Sequence, residues 1–205
     1  FLSGGELAVL TASGAVTKLG IAAGGLAGLA PAENGRLYYA IGSGAIRYLD
    51  ALNVSHDLLD AAGAAPYVFK NDVYNTLQLF YDPASHSLFV ATQNSSIPCT
   101  GTVSWVSAVF RIPLNGDGTK VGGPVQGTVV CLSGSLAWER PNGFSEGPNG
   151  TLFLTVDDNS NEAGGRMVTM DKTTLAVSTY ATNGPYIGGA SSNAGCYSRL
   201  FGRAV

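Results

Sequence analysis

The chain is short of charge, of histidine and of cysteine, and each shortage narrows the functions open to it. Only 11 of its 205 residues are Lys or Arg and 14 are Asp or Glu, so charged residues make up 12%, about half the roughly 25% of ordinary soluble domains. A formal net charge of −3, with the cations scattered along the chain, leaves no basic stripe that would follow phosphates and argues against nucleic acid as a partner. Two histidines, His56 and His86, are the whole supply of imidazole bases. Neither lies beside a nucleophile elbow, and both are expected as solvated turn residues. No apolar run reaches the roughly 18 to 20 residues of a membrane-spanning helix, because Gly, Ser, Asn or a charge breaks each one. No Walker-type or dinucleotide loop is present, and Gly24-Gly25 and Gly188-Gly189 precede no helix that would hold a phosphate.

What is present is ample apolar matter. Hydrophobic residues make up 45% of the chain, enough to bury a core, and the length fits one domain over residues 1–205 or a large piece of one. With so few charges, Ser, Thr, Asn, Gly and sugars are left to keep the surface wet. Three acceptor motifs for N-linked glycans occur, Asn53-Val54-Ser55, Asn94-Ser95-Ser96 and Asn149-Gly150-Thr151, none with Pro in the middle. The chain opens on Phe1 with no basic and apolar leader, so a signal peptide is expected to have been removed or to lie outside it. Together these features point to an extracellular or cell-surface protein.

Helical periodicity is scarce, whereas short β-branched and aromatic runs recur between Gly, Asn, Ser and Pro clusters. The runs repeat. Ala30-Pro31-Ala32-Glu33-Asn34-Gly35-Arg36-Leu37-Tyr38-Tyr39-Ala40 parallels Tyr81-Asp82-Pro83-Ala84-Ser85-His86-Ser87-Leu88-Phe89-Val90-Ala91 and Ser145-Glu146-Gly147-Pro148-Asn149-Gly150-Thr151-Leu152-Phe153-Leu154-Thr155. Each sets a tight polar turn before Leu-aromatic, and a weaker copy over 197–205 places Leu200 in the same role. The four leucines are roughly 50 to 65 residues apart, the interval of propeller blades with variable loops. Ala45–Leu49, Ala108–Ile112 and Arg166–Met170 alternate as third strands, and Val129-Val130 and Leu175–Tyr180 follow as outer strands. Ser55–Ala61 occupies the equivalent outer place and fits a strand or a turn or two of helix. Glu6–Thr11 and Ala15–Leu19 read as third and fourth strands of a blade whose inner strands come from the C-terminus. The expected fold is thus an all-β propeller of about four four-stranded blades, either a closed ring or part of a larger one.

In that topology Cys99 and Cys131 face the same end of one blade, which makes a disulfide between them reasonable. Cys196 is left over, for an intermolecular partner or a buried thiol; three unpaired core thiols are the alternative. Zinc is disfavoured, since neither Cys-x-x-Cys nor paired His accompanies the cysteines. Asp157-Asp158-Asn159-Ser160-Asn161-Glu162 alternates oxygen donors as a Ca2+ loop would. It fails as an EF-hand, because Glu162 stands where the loop's Gly belongs and Val168 where its bidentate Glu belongs.

Arg140-Pro141-Asn142-Gly143-Phe144, followed by Gly147-Pro148-Asn149-Gly150-Thr151-Leu152-Phe153-Leu154-Thr155-Val156-Asp157, resembles the blade signature of NHL-repeat propellers and of the gluconolactonase-like family. The match covers about one blade. In the lactonase-like enzymes the Asn of that motif binds a central divalent metal, so the resemblance implies Asn142, and no other position, as a metal ligand; Asp157, which opens the oxygen-rich run, is the other candidate ligand, with Ca2+ as the ion that run suits. The family's acidic metal ligands and catalytic Asp are not matched, and a shared superfold does not transmit activity. The favoured reading is therefore a structural or binding module of a cell-surface, matrix or filament assembly. Its partners would be N-linked glycans and other copies or subunits; a metal-dependent lactonase-like hydrolase is the alternative.

Overall fold

The structure is a computed structural model, and it describes residues 2–3, 6–22, 28–41, 44–69, 78–94, 106–130, 139–158 and 165–184. Among these residues it is all-β, with four antiparallel sheets that follow one another along the chain. The first holds β1 (Leu2–Ser3), β2 (Glu6–Leu10) and β3 (Val16–Ala22). The second holds β4 (Leu29–Pro31), β5 (Leu37–Ala40), β6 (Ile46–Leu49) and β7 (Ser55–Asp57). The third runs β8 (Gln78–Asp82), β9 (Ser87–Asn94), β10 (Val106–Pro113), β11 (Gln126–Val129), and the fourth β12 (Glu139–Glu146), β13 (Thr151–Asp158), β14 (Gly165–Asp171), β15 (Val177–Gly184). Every sheet is a meander in sequence order, so no crossover is needed and each strand pairs with its chain neighbour.

The hairpins between the first and second strands of the second, third and fourth sheets close where the polar turns were expected. Asn34 and Gly35 have φ of 59° and 73°, and Asn149 and Gly150 have 57° and 75°. Asn tolerates this left-handed region and Gly has no Cβ to clash there. The two turns also share a bonding pattern: Ala32 N–H donates to Arg36 O at 2.8 Å and Gly147 N–H to Thr151 O at 2.9 Å. The third turn, between β8 and β9, places His86 at φ 45°. Its start is held by Asp82, whose Oδ2 accepts the Ser85 hydroxyl at 2.5 Å and the Ser85 N–H at 3.2 Å.

A second device opens four later turns. Thr11 Oγ1 accepts Ala15 N–H, Asp50 Oδ1 accepts Leu52 and Val54 N–H, Asn115 Oδ1 accepts Thr119 and Lys120 N–H, and Asp171 Oδ1 accepts Thr173 and Thr174 N–H. A short polar side chain thus satisfies the backbone donors that the turn removes from the ladder. At the last of these turns Leu175 has φ 59°. It closes the turn, so β15 starts at Val177 rather than at the expected Leu175. Of Ser55–Ala61, which fits a strand or a turn or two of helix, Ser55–Asp57 is extended, pairing Ser55 with Leu49 and Asp57 with Arg47. The amino-terminal sheet has a third strand, β1, that was not anticipated; Leu2 pairs with Leu7. Residues 197–205, expected to supply inner strands, lie outside the described residues.

The chain divides into two compact units, Phe1–Lys70 with Leu79–Val90 and Arg111–Val125, and Asn71–Gln78 with Ala91–Phe110 and Gln126–Val205. In the first, Leu7 of β2 packs with Tyr39 and Leu49 of the second sheet, joined by Leu19, Ile21, Leu29, Leu37 and Ile41. Tyr38, Tyr39 and Ala40 are consecutive and all buried, so β5 is covered on both faces rather than one. In the second unit β13 alternates: Leu152, Leu154 and Val156 are buried while Thr151, Phe153 and Thr155 are half-buried. Leu152 lies opposite Met170 and Leu154 opposite Val168, both buried, on β14. This period-two burial places one face of the fourth sheet in the core.

Candidate functional site

In the first unit a group of polar and aromatic side chains gathers on β5, β6 and β7 and around the turn after β10. Tyr38 and Tyr48 are opposite one another on β5 and β6, with ring centroids 6.0 Å apart, and Tyr81 of β8 lies 5.7 Å from Tyr38. The Arg36 guanidinium sits over the Tyr48 ring, its central carbon 4.7 Å from the centroid, a separation at which the ring quadrupole attracts the cation. On β7, His56 stacks on Tyr48 at 5.2 Å and donates from Nε2 to Asp50 Oδ2 at 3.0 Å. Arg47 and Asp57, paired across β6 and β7, form an ion pair of 2.7 Å.

Two members of the group reach 80 or so residues along the chain. Tyr38, 1% exposed, donates its hydroxyl to Gly118 O at 2.6 Å, and Arg36 Nη1 donates to Asp117 O. An isolated backbone bridge joins the same places: Leu59 N–H donates to Thr119 O and Val121 N–H to Leu59 O, each at 3.0 Å. Gly118 admits this approach because it has φ 68° and because a Cβ there would lie 2.5 Å from both Arg36 Nη1 and Tyr38 Oη. Any larger residue would displace both side chains. Arg36 Nε is buried without a hydrogen-bond partner among the described residues, while the guanidinium meets the Asp117 carbonyl, the Tyr48 ring and the Tyr38 hydroxyl.

The electrostatics follow this burial. Loss of hydration pushes the Tyr38 hydroxyl up to about 12, with Arg36 opposing the shift. Burial likewise raises Tyr48 and Tyr81. The hydrogen bond from His56, followed by that from Val54 N–H, holds the exposed Asp50 carboxyl below its ordinary value. Asp117 is lowered by the Thr119 hydroxyl and N–H. Hydroxyls kept protonated and carboxylates kept ionised suit a fixed hydrogen-bonded joint, because neither exchanges protons near neutral pH.

Apart from His56, the sequence marks none of these residues as a functional candidate. The signal that was there is the alternation Arg36-Leu37-Tyr38 beside the Asn115-Gly116-Asp117-Gly118 turn, but alternation says which face a residue takes, not what meets it. Of the two histidines, His86 occupies a turn as expected, with Nδ1 3.3 Å from the Tyr81 hydroxyl, whereas His56 is on a strand.

The sequence-derived sites are placed in part. Asn53 is exposed at φ 61° in the turn between β6 and β7, and Asn149 is exposed in the turn between β12 and β13. The Ser55 hydroxyl of the first acceptor motif is 2.6 Å from Tyr39 Oη. Asn94 ends β9, and its side chain is outside the described set. Asn142 falls at a bulge in β12, between the pairs Pro141–Val156 and Gly143–Thr155, while Asp157 of β13 faces Arg140. The backbone therefore places Asn142 in the middle of β12 and Asp157 next to the end of the adjacent β13, and their side chains are not described. Among the described residues no three His, Cys, Asp or Glu side chains come together as a metal site. Cys99, Cys131, Cys196 and residues 159–162 lie outside the described residues. No described helix is long and apolar enough to cross a membrane. No protein-family model matches the chain, and no curated protein does.

Proposed function

We propose that the chain is a β-propeller, or a segment of one, that serves as a glycosylated structural or binding module in an extracellular or cell-surface assembly. The observation that carries the reading is the position of two acceptor asparagines. Asn53 and Asn149 are exposed on hairpin turns, where a bulky polar glycan meets solvent and disturbs no ladder. The propeller part draws on the succession of meanders in chain order and on the core shared by the first two sheets, as between adjacent blades. The structural part draws on a polar cluster whose hydroxyls and charges are engaged with the fold itself.

Expression through a secretory pathway, followed by intact-mass measurement before and after glycan removal and native sizing without reductant, tests it. Glycan mass that disappears stepwise in Asn53→Gln and Asn149→Gln, on a species larger than one chain, is the expected result. An unglycosylated monomer with a free Cys196 thiol overturns it.

The second reading, a metal-dependent lactonase-like hydrolase, draws on the bulge at Asn142, since bulges recur beside active sites. One amide from Asn142 and one carboxylate from Asp157 fall short of the six to eight oxygens that Ca2+ takes, so no catalytic step is derived through a metal. Metal analysis after soaking decides between the readings: a stoichiometric cation lost in Asn142→Ala favours the hydrolase.

A further inference from the structure

Asn34-Gly35 and Asn149-Gly150 carry a reactive chemistry that the fold holds in check. In an Asn-Gly pair the glycine backbone nitrogen attacks the asparagine Cγ. A C–N bond forms, the Cγ–Nδ2 bond breaks, and ammonia leaves with the proton from the attacking nitrogen. Water then opens the cyclic imide at either carbonyl to give Asp or isoaspartate, so one NH2 is exchanged for OH and the mass rises by about 1 Da. Glycine makes this fast because nothing on its Cα obstructs the ring.

Both amides are exposed to water, and neither is held by a hydrogen bond to another described residue. Asn115, by contrast, has its Oδ1 locked by Thr119 and Lys120 N–H. What differs from a free peptide is the backbone. Tetrahedral geometry at Cα sets Cβ about 120° from the backbone nitrogen around the Cα–C bond, so a five-membered ring needs ψ near about −120°. Asn34 has ψ 29° and Asn149 ψ 39°. At these angles Cβ is nearly opposite the nitrogen it would have to reach. Rotating ψ into range breaks the hairpin closures Ala32 N–H to Arg36 O and Gly147 N–H to Thr151 O.

We propose that Asn34 and Asn149 are modification sites concealed by turn conformation rather than by burial, converted to isoaspartate only when their hairpins open. At Asn149 the conversion also removes the glycan-acceptor amide, a consequence that rests on the function proposed above. Asn34-Gly35-Arg36 is not an acceptor motif, so its behaviour tests the inference without reference to glycans.

The experiment compares unglycosylated protein, native and in denaturant, at mildly alkaline pH. Peptide mapping follows isoaspartate at both sites, and hydrogen exchange follows the Ala32 and Gly147 N–H groups. Native conversion slower by about tenfold or more at both sites is expected, since opening must precede reaction. Ala32→Pro deletes the donor to Arg36 O at a residue whose φ of −127° proline does not adopt. It should accelerate Asn34 severalfold and leave Asn149 at its native rate. Equal rates at Asn34 in native and denatured protein, with Ala32 still protected from exchange, overturn the proposal. Absence of glycan at Asn149 in secreted protein would instead sink the proposed function and leave this inference standing.

Discussion

Replacing Tyr38 by Phe removes one oxygen from the joint between β5 and the turn after β10, and the cost follows from what that oxygen does. The hydroxyl donates to Gly118 O at 2.6 Å from a residue 1% exposed. A typical hydrogen bond contributes a net 0.5–1.5 kcal/mol, and a buried carbonyl left without its donor costs about 1–3 kcal/mol. Relief from burying a hydroxyl offsets part of this, so we expect Tyr38→Phe to destabilise by about 1–2 kcal/mol. For a chain of this size that is a fall of roughly 2–8 °C in melting temperature. Tyr48→Phe is the control: its ring is the one Arg36 and His56 stack on, and the phenylalanine ring keeps both contacts, so a change within about 0.5 kcal/mol is expected. The assay is urea unfolding followed by circular dichroism and tyrosine fluorescence. The pH dependence supplies a second readout. The Tyr38 hydroxyl is raised in the fold from 10.0 to about 12, so the folded state retains its proton where the unfolded chain loses it. The associated stability is therefore intact below about pH 10 and is lost as pH rises towards about 12. Tyr38→Phe should flatten that decline without abolishing it, because Tyr48 and Tyr81 are raised too. Equal stability of the two Tyr→Phe variants, with unchanged pH dependence, would refute the claim that this hydroxyl secures the joint.

Gly118→Ala should cost about 1–3 kcal/mol, since it strains a left-handed residue and displaces Arg36 and Tyr38; the chemical-denaturation midpoint reads it. Leu154→Ala, at a fully buried position on β13, should cost about 2–5 kcal/mol through the cavity left behind, with a change below 1 kcal/mol counting against the burial. His56→Ala should raise the Asp50 carboxyl towards its ordinary value, because the His56 hydrogen bond is the largest cause of its depression. That depression favours the fold above the unfolded-state value and the benefit disappears as pH falls through the folded one; carboxyl NMR titration checks both.

What the sequence determined is what neighbours along the chain decide. Asn34-Gly35 and Asn149-Gly150 announced hairpins because few residues other than Gly and Asn accept a positive φ cheaply. The alternation in Arg166–Met170 announced a half-buried strand because successive side chains take opposite faces. Short segments were ambiguous for the same reason. Ser55–Asp57 has too few residues to show a period, and its extended form depends on pairing with Arg47–Leu49. Leu175 looked like strand by composition, yet Asp171 at the turn's start fixed it as the closing residue. The joint between Tyr38 and Gly118 belongs wholly to tertiary structure. Nothing local to Arg36-Leu37-Tyr38 reports that a carbonyl 80 residues away will arrive within 2.6 Å, because hydrogen bonds act on distance in space and the chain's own periodicities end at the edge of each strand.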